Sequence, residues 1–364
     1  MNISGIKLLL LAVMILSSSL PLSAKQAVKM GMSTALSGPA QEIGQQLKAG
    51  AELHLDHYNQ HKPADALPVT LEALDDGYEP HKTVINARKL IYEHKVDALF
   101  GVMGTPTSYA IKPILEHSHI PLLMPYTGAE FLQNPTTFDV FNLRASYNKE
   151  TQDIIHYFVD ELKFKRIALL IQADEFGLTV EKGLTKALSE HGMRPVVITR
   201  FRRNSDDIDK ALKRAKRHKI EAFAMVGTYQ PLAKFINQAK FSGLEAHYAT
   251  VSFASSNELF ARLKGQPKVL VTEVVPDPVI CKAQLCDHFR QTINQTNLPL
   301  NEQVFEGFLN AYLLTSAIQA CQLPLQSTCL LNALQDQLEN NQLIRDVFML
   351  QPGQKKLPVY RSFF

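Results

Sequence analysis

The sequence predicts an α/β protein of two lobes, each a doubly wound parallel sheet, joined by a three-crossover hinge with a cleft between them. Three observations carry this. Short apolar runs alternate with longer helix-periodic stretches from Val28 to Thr250. That rhythm breaks in the last quarter of the chain, where helical stretches cluster and short strand-like pieces follow. The 364 residues, less an apolar leader, suit two compact cores better than one.

Residues 1–24 precede the alternation. A short start carries Lys7, Leu8 to Leu16 form an unbroken apolar run, and Ser17 to Ala24 are small, polar and interrupted by Pro21. That order is a secretory signal peptide cut after Ala24. The nine apolar residues, at ~1.5 Å each, cover about half of a ~30 Å hydrocarbon core, too little to anchor the chain.

The first series then reads strand 28–33, helix 41–59, strand 69–74, helix 82–94, strand 98–102, helix 108–117, and strands 121–124 and 140–143. In the first of these helices Leu47, Ala51, Leu55 and Tyr58 share a face. The second series has strands at 166–171, 196–199, 222–226 and 247–250, separated by helices at 148–162, 176–191, 206–218 and 231–241. Strand 269–274 follows, then helices near 281–294, 303–321 and 330–338. Crossings near Ala145, Pro276 and Gln342 divide the chain into a first lobe of residues 25–145 plus 276–341 and a second of 146–275 plus 342–364. A ligand belongs where the strand ends of both lobes face each other.

Composition narrows the function. Lys and Arg number 38 against 35 Asp and Glu, a balance that points to no polyanionic partner such as nucleic acid. The chain holds no G-x-S-x-G elbow, no G-x4-G-K-[ST] loop and no H-E-x-x-H, so nothing recommends an enzyme over a binding protein. Four cysteines fall late, as Cys281-x4-Cys286 and Cys321-x7-Cys329. In an oxidising compartment these favour disulfides over free thiols or zinc; three connectivities are open, and the local pairs are preferred.

Two turns look ready to hold a ligand. In Gly101–Ser108 (GVMGTPTS), Thr105 suits an N-cap and Pro106 a first helical position. The amides of Thr107 and Ser108 would then point at an anion. In Pro125–Glu130 (PYTGAE), Thr127 and Glu130 have capping-box spacing, and Tyr126 offers an aromatic wall with a polar tip.

Other groups have plainer readings. Asp75-Asp76 caps the next helix or closes the cleft, since Ser37–Gly44 is not the G-x-G-x-x-G of a dinucleotide fold. His54, His57 and His61 lie at helical spacing but read as packed or surface histidines, and no metal is expected. The basic run 213–219, with Arg200, Arg202 and Arg203, falls opposite Ile208, Ala211, Leu212 and Ala215, as a solvated face would, with docking to a membrane protein or anionic lipid the alternative.

A set of short stretches in order carries a resemblance: Leu36–Gly44 (LSGPAQEIG), Leu74-Asp-Asp76, Gly104–Ser108 (GTPTS), Pro125–Ala129 (PYTGA) and Phe141–Tyr147 (FNLRASY). Asp174-Glu-Phe-Gly177, Gly227-Thr-Tyr229 and Phe305-Glu-Gly-Phe308 continue it. Together they resemble the periplasmic substrate-binding proteins of ABC importers in the leucine/isoleucine/valine-binding group, with the class I binding-protein fold. The resemblance implies an exported, periplasmic, non-enzymatic binder without cofactor, a monomer that delivers a small molecule to an ABC permease in the inner membrane. A ligand-sensing subunit for a membrane receptor is the alternative, and a secreted α/β enzyme the remote one.

Carried over residue by residue, Thr105 and Thr107 fall on the family's carboxylate-binding turn and Tyr126, Thr127 and Gly128 on its second. Phe176 and Tyr229 fall where the second lobe sets aromatic groups over the ligand. The chain departs from the pattern near Ser252: Val251-Ser-Phe-Ala254 stands where amino-acid binders carry an acid for the ammonium. With Ser108, Tyr147 and Phe253 added, the expected lining is an aromatic cleft with two hydroxyl-rich turns. It suits a flat or apolar molecule bearing a carboxylate, an amide or a similar acceptor-rich group.

Overall fold

The computed structural model describes residues 27–133, 135–322, 325–343 and 359–363. The expected signal peptide and most of the 342–364 segment lie outside the described residues.

Five parallel strands form the first sheet, in the order β2-β1-β3-β4-β5: β1 Val28–Thr34, β2 Val69–Asp75, β3 Ala98–Phe100, β4 Leu122–Leu123 and β5 Val140–Phe141. Strands β3 and β4 are buried throughout, which is why they read as unbroken apolar runs. Helices α1 (Gln41–His61), α2 (Pro80–Arg88) and α3 (Thr105–Ser118) make the connections. A π turn, Lys89–Glu93, continues α2.

The chain then enters the second sheet through α4 (Tyr147–His156), itself continued by a π turn at Tyr157–Glu161. Here β6 Ile167–Gln172, β7 Ile198–Phe201, β8 Ala222–Val226, β9 His247–Thr250 and β10 Lys268–Glu273 run parallel. Between them stand α5 (Glu175–Glu190), α6 (Asp209–Ala215), α7 (Tyr229–Phe241) and the short α8 (Ser256–Phe260). After β10 the chain returns to the first lobe as α9 (Gln284–Ile293), α10 (Glu302–Ala320) and α11 (Ser327–Asn340). Strand β11 (Val359–Phe363) then pairs antiparallel with β10, so the second sheet has six strands in the order β11-β10-β9-β8-β6-β7.

Helix α10 belongs to the core of the first lobe. Its Val304, Phe308 and Leu313 pack in one cluster with Met30, Ala51 and Leu55. The close crossing depends on two glycines: a Cβ on Gly50 would lie 2.0 Å from the Val304 carbonyl oxygen, and one on Gly307 2.1 Å from that of Leu47. Disulfides join Cys281 to Cys286 in the first turn of α9, and Cys321, just past α10, to Cys329 in the first turn of α11. Among the described residues no helix is long and apolar enough to cross a membrane.

Several boundaries differ from the sequence expectation. Strand 196–199 is shifted to Ile198–Phe201, although the Val196 amide already reaches the Ile167 carbonyl at 2.9 Å. Helix 206–218 shrinks to Asp209–Ala215, because the Ser205 hydroxyl takes the Asp207 amide and the Asp206 carbonyl takes that of Ile208. The turn Ser252–Ala254 and helix α8 are too short to show a period.

Candidate functional site

The site is built at the strand ends. After β3 the backbone turns through Gly101 (φ 64°) and Gly104 (φ 103°), left-handed values that favour glycine. A Cβ at Gly104 would lie 2.3 Å from the Tyr78 ring. Gly104, not Thr105, is the N-cap of α3; Thr105 opens the helix and Pro106 comes second. This corrects the expected cap, and it frees the Thr105 hydroxyl to bond Thr127 Oγ1 at 2.8 Å. Thr127 in turn donates to the Tyr147 hydroxyl at 3.2 Å and accepts from the Ala129 amide at 3.2 Å. The capping box therefore does not form: Glu130 accepts the Asn148 amide instead. The Thr107 hydroxyl turns back onto the Gly104 carbonyl at 2.8 Å, while Ser108 Oγ is buried with no hydrogen-bond partner among the described residues. Gly128 lets the turn approach closely, since a Cβ there would lie 2.5 Å from the Ala145 carbonyl.

The second lobe contributes Phe253, on the turn after β9. Its ring centroid lies 4.6 Å from Phe176, 5.4 Å from Tyr126 and 5.6 Å from Tyr78, while Phe176 lies 5.4 Å from Tyr147. Rings of both lobes thus meet in one cluster, each about fully buried. Tyr229 works elsewhere on the same boundary: its hydroxyl donates to Glu42 on α1, and the Arg262 guanidinium lies 4.5 Å over its ring. At the rim, Arg203 binds Glu79 at 2.9 Å, Asn204 donates to Glu79 at 2.7 Å, and Gln46 donates to Glu258 at 2.8 Å. These contacts link first-lobe to second-lobe residues, so the lobes are closed on each other.

Charge enters the middle of this cluster through residues that sequence reasoning missed. Arg144 Nη1 lies 2.7 Å from both oxygens of Glu306, its Nη2 donates to Ser252 Oγ at 2.5 Å, and its guanidinium sits 4.0 Å over the Tyr126 ring. Glu150 accepts the Ser252 amide at 2.8 Å, the Ser252 hydroxyl at 3.1 Å and the Thr272 hydroxyl. Burial pushes the Glu150 carboxyl above its ordinary range, against the pull of Arg144 and Ser252. Burial also opposes the Arg144 charge, yet Glu306 and Tyr126 outweigh it and raise its pKa. Burial, aided by the nearby Glu150, lifts the Tyr147 hydroxyl to about 12 against the pull of Arg144. An acid absent from the sequence at position 252 thus lies next to it in space, as Glu150. The available signal was a charged residue inside apolar context: Leu143-Arg144-Ala145 and Phe305-Glu306-Gly307.

The remaining groups are structural. Asp75 accepts the amides of Leu36, Ser37 and Gly77, and buried Asp76 takes the Ser33 and Thr83 hydroxyls, so the dyad fastens two loops. His54 is buried beside Thr315 Oγ1 at 2.9 Å. Among the described residues no group of three or more His, Cys, Asp or Glu stands ready for a metal. Lys213, Arg214, Lys216 and Arg217 are exposed, with Ile208, Ala211, Leu212 and Ala215 buried behind them.

Two sheets, closed over a cluster at their strand ends, define a two-lobed binding protein, and the comparisons agree. Residues 27–356 match the family model described as "Periplasmic binding protein", and the chain belongs to that family. It is 30% identical to the crystal structure of a possible leucine/isoleucine/valine-binding protein from Rhodopirellula baltica, over 86% of each chain with a TM-score of 0.80. A branched-chain amino acid ABC transporter structure from Thermus thermophilus with bound valine shares the fold, at 19% identity, 85% of this chain, 83% of that one and a TM-score of 0.75. By sequence the chain is 21% identical to the leucine-, isoleucine-, valine-, threonine- and alanine-binding protein of Pseudomonas aeruginosa, over 65% of this chain and 64% of that protein, under two thirds of its length. It is also 21% identical to the Leu/Ile/Val-binding protein of Escherichia coli K12, over 68% and 67%.

Proposed function

We propose that this chain is an exported, non-enzymatic solute-binding protein that closes two lobes over a small organic molecule and hands it to an ABC permease. In this reading residues 25–145 with 276–341 form one jaw and 146–275 with 342–364 the other. The solute, amino-acid-like, aromatic or amide-bearing, lies among Tyr126, Tyr147, Phe176 and Phe253. Its acceptor groups face Thr105, Thr107, Ser108, Thr127 and Gly128, and its far side faces Tyr229 and Ser252. The observation that carries the reading is Phe253: one ring of the second lobe reaches both Tyr126 and Tyr78 of the first. A solute that touches both sides of that boundary favours the closed state by its differential contacts.

The test is thermal unfolding of protein refolded from denaturant to strip carried ligand, against amino acids, aromatic acids, nucleobases and small amides. A solute at 100 times its Kd adds about 2.7 kcal/mol. A shift with one class, lost in Phe253→Ala, is expected. No shift from any class in folded protein refutes the reading.

A further inference from the structure

The strand-start pole of the second lobe, opposite the cleft, carries a patch that solute binding does not use. A cavity of about 460 Å³ opens there, walled by Phe164, Ile220, Leu244, Tyr248 and Pro267. Beside it, at the end of α7, the Phe241 ring is 94% exposed, the most exposed of the protein's large apolar side chains among the described residues. Such a ring, on the last residue of a helix, contributes nothing to the core.

Charge surrounds it. Lys240 and Lys268 line the cavity, and Lys163, Lys165, Lys219 and Lys264 stand next to lining residues or to the Gly265 over which Lys240 folds. All six are exposed, and none forms an ion pair among the described residues. The opposing acids are fewer: Glu245 lines the cavity, Glu161 lies at the margin, and one Glu221 oxygen is already bonded to the amides of Lys165 and Arg166 at 2.8 Å. The chain as a whole is nearly neutral, so this pole concentrates positive charge that the rest of the surface balances.

We propose that this pole docks on an anionic bilayer surface, with Phe241 inserted among the headgroups and the six lysines on lipid phosphates. An aromatic wedge ringed by cations on flexible stems is the chemistry that a phosphate-bearing interface selects. The pole lies at the strand starts, so docking leaves the cleft at the strand ends free to open. A second copy of the chain is a poorer occupant, because two such poles repel; a partner protein lacks any specific contact here to argue for it.

Co-sedimentation of the purified protein with vesicles of phosphatidylcholine, and of phosphatidylcholine mixed with phosphatidylglycerol, tests this. Binding at least tenfold tighter to the mixed vesicles, and weakening as salt rises, is expected. Each lysine near the surface is worth about fivefold, so Lys240→Glu with Lys268→Glu should lower binding by well over tenfold. Phe241→Ala should cost about tenfold while leaving thermal unfolding unchanged, since the ring is exposed. Equal partition to both vesicles, or binding indifferent to the lysine reversals, overturns the proposal. So does absence of binding to either vesicle, which returns the patch to an acidic protein surface. A dimer that tightens with salt and is lost in Phe241→Ala also overturns it, in favour of a second copy.

Discussion

The Arg144 guanidinium holds both carboxylate oxygens of Glu306 at 2.7 Å, across 162 residues of sequence and almost out of reach of water. One residue ends the first half of the first lobe; the other lies on the helix that returns to it. The pair also touches the second lobe through Ser252. It fastens the first lobe together at the point where the second one presses on it.

Breaking one side of that pair leaves a buried charge without its partner. Arg144→Met should destabilise the fold by about 3–5 kcal/mol, while Arg144→Met with Glu306→Leu should recover most of the loss. Urea unfolding of the two variants checks this. A single variant within about 0.5 kcal/mol of wild type would contradict the buried geometry.

Phe253 should separate closure from folding. Phe253→Ala removes ring contacts to Tyr78, Tyr126 and Phe176, and truncations of this kind cost about 3–5 kcal/mol in a packed core. Because two of those contacts cross between lobes, part of the cost should appear as opening. The expected result is a larger radius of gyration in small-angle scattering, with secondary structure retained.

His54 sets a pH dependence. Burial, then the neighbouring His288 and His57, lowers its pKa to about 3, against 6.5 when unfolded. Between those values the unfolded chain binds the extra proton, so stability is full above pH 6.5 and falls as the pH drops. The loss between pH 7 and pH 5 should be about 2 kcal/mol. The urea midpoint of wild type should fall over that range, and in His54→Leu the fall should largely vanish. An unchanged slope in the variant would place the dependence elsewhere.

The α1–α10 crossing should tolerate no methyl group. Gly50→Ala and Gly307→Ala each push a Cβ into a backbone carbonyl, and overpacking of this sort costs about 1–3 kcal/mol or more. Thermal unfolding should show each variant melting well below wild type, with ligand response kept in whatever remains folded.

Much of the architecture was legible because its signal is periodic. Strand runs such as 222–226 and the faces of α1 and α5 follow directly from burial on parallel sheets. The meeting of Tyr126, Phe176 and Phe253 in one ring cluster was also readable, since all three stand at strand ends. Arg144, Glu150 and Glu306 were not. A buried charge and a solvated one look alike in sequence, and only folding shows that residues 144, 252 and 306 share one hydrogen-bond network. The Thr105 cap and the Thr127 box failed for a related reason: cross-lobe and cross-turn partners outcompeted the local bonds that spacing suggests.

Neither lobe is complete when its own run of strands ends. The first needs α10 laid across α1, and the edge of the second needs β11, residues 359–363, paired with β10. Each lobe waits on a segment that lies far along the sequence from its other elements. Long-range closure of this kind is slow. A break in the crossing near residue 145 would part the first five strands from α10, the helix that finishes their core.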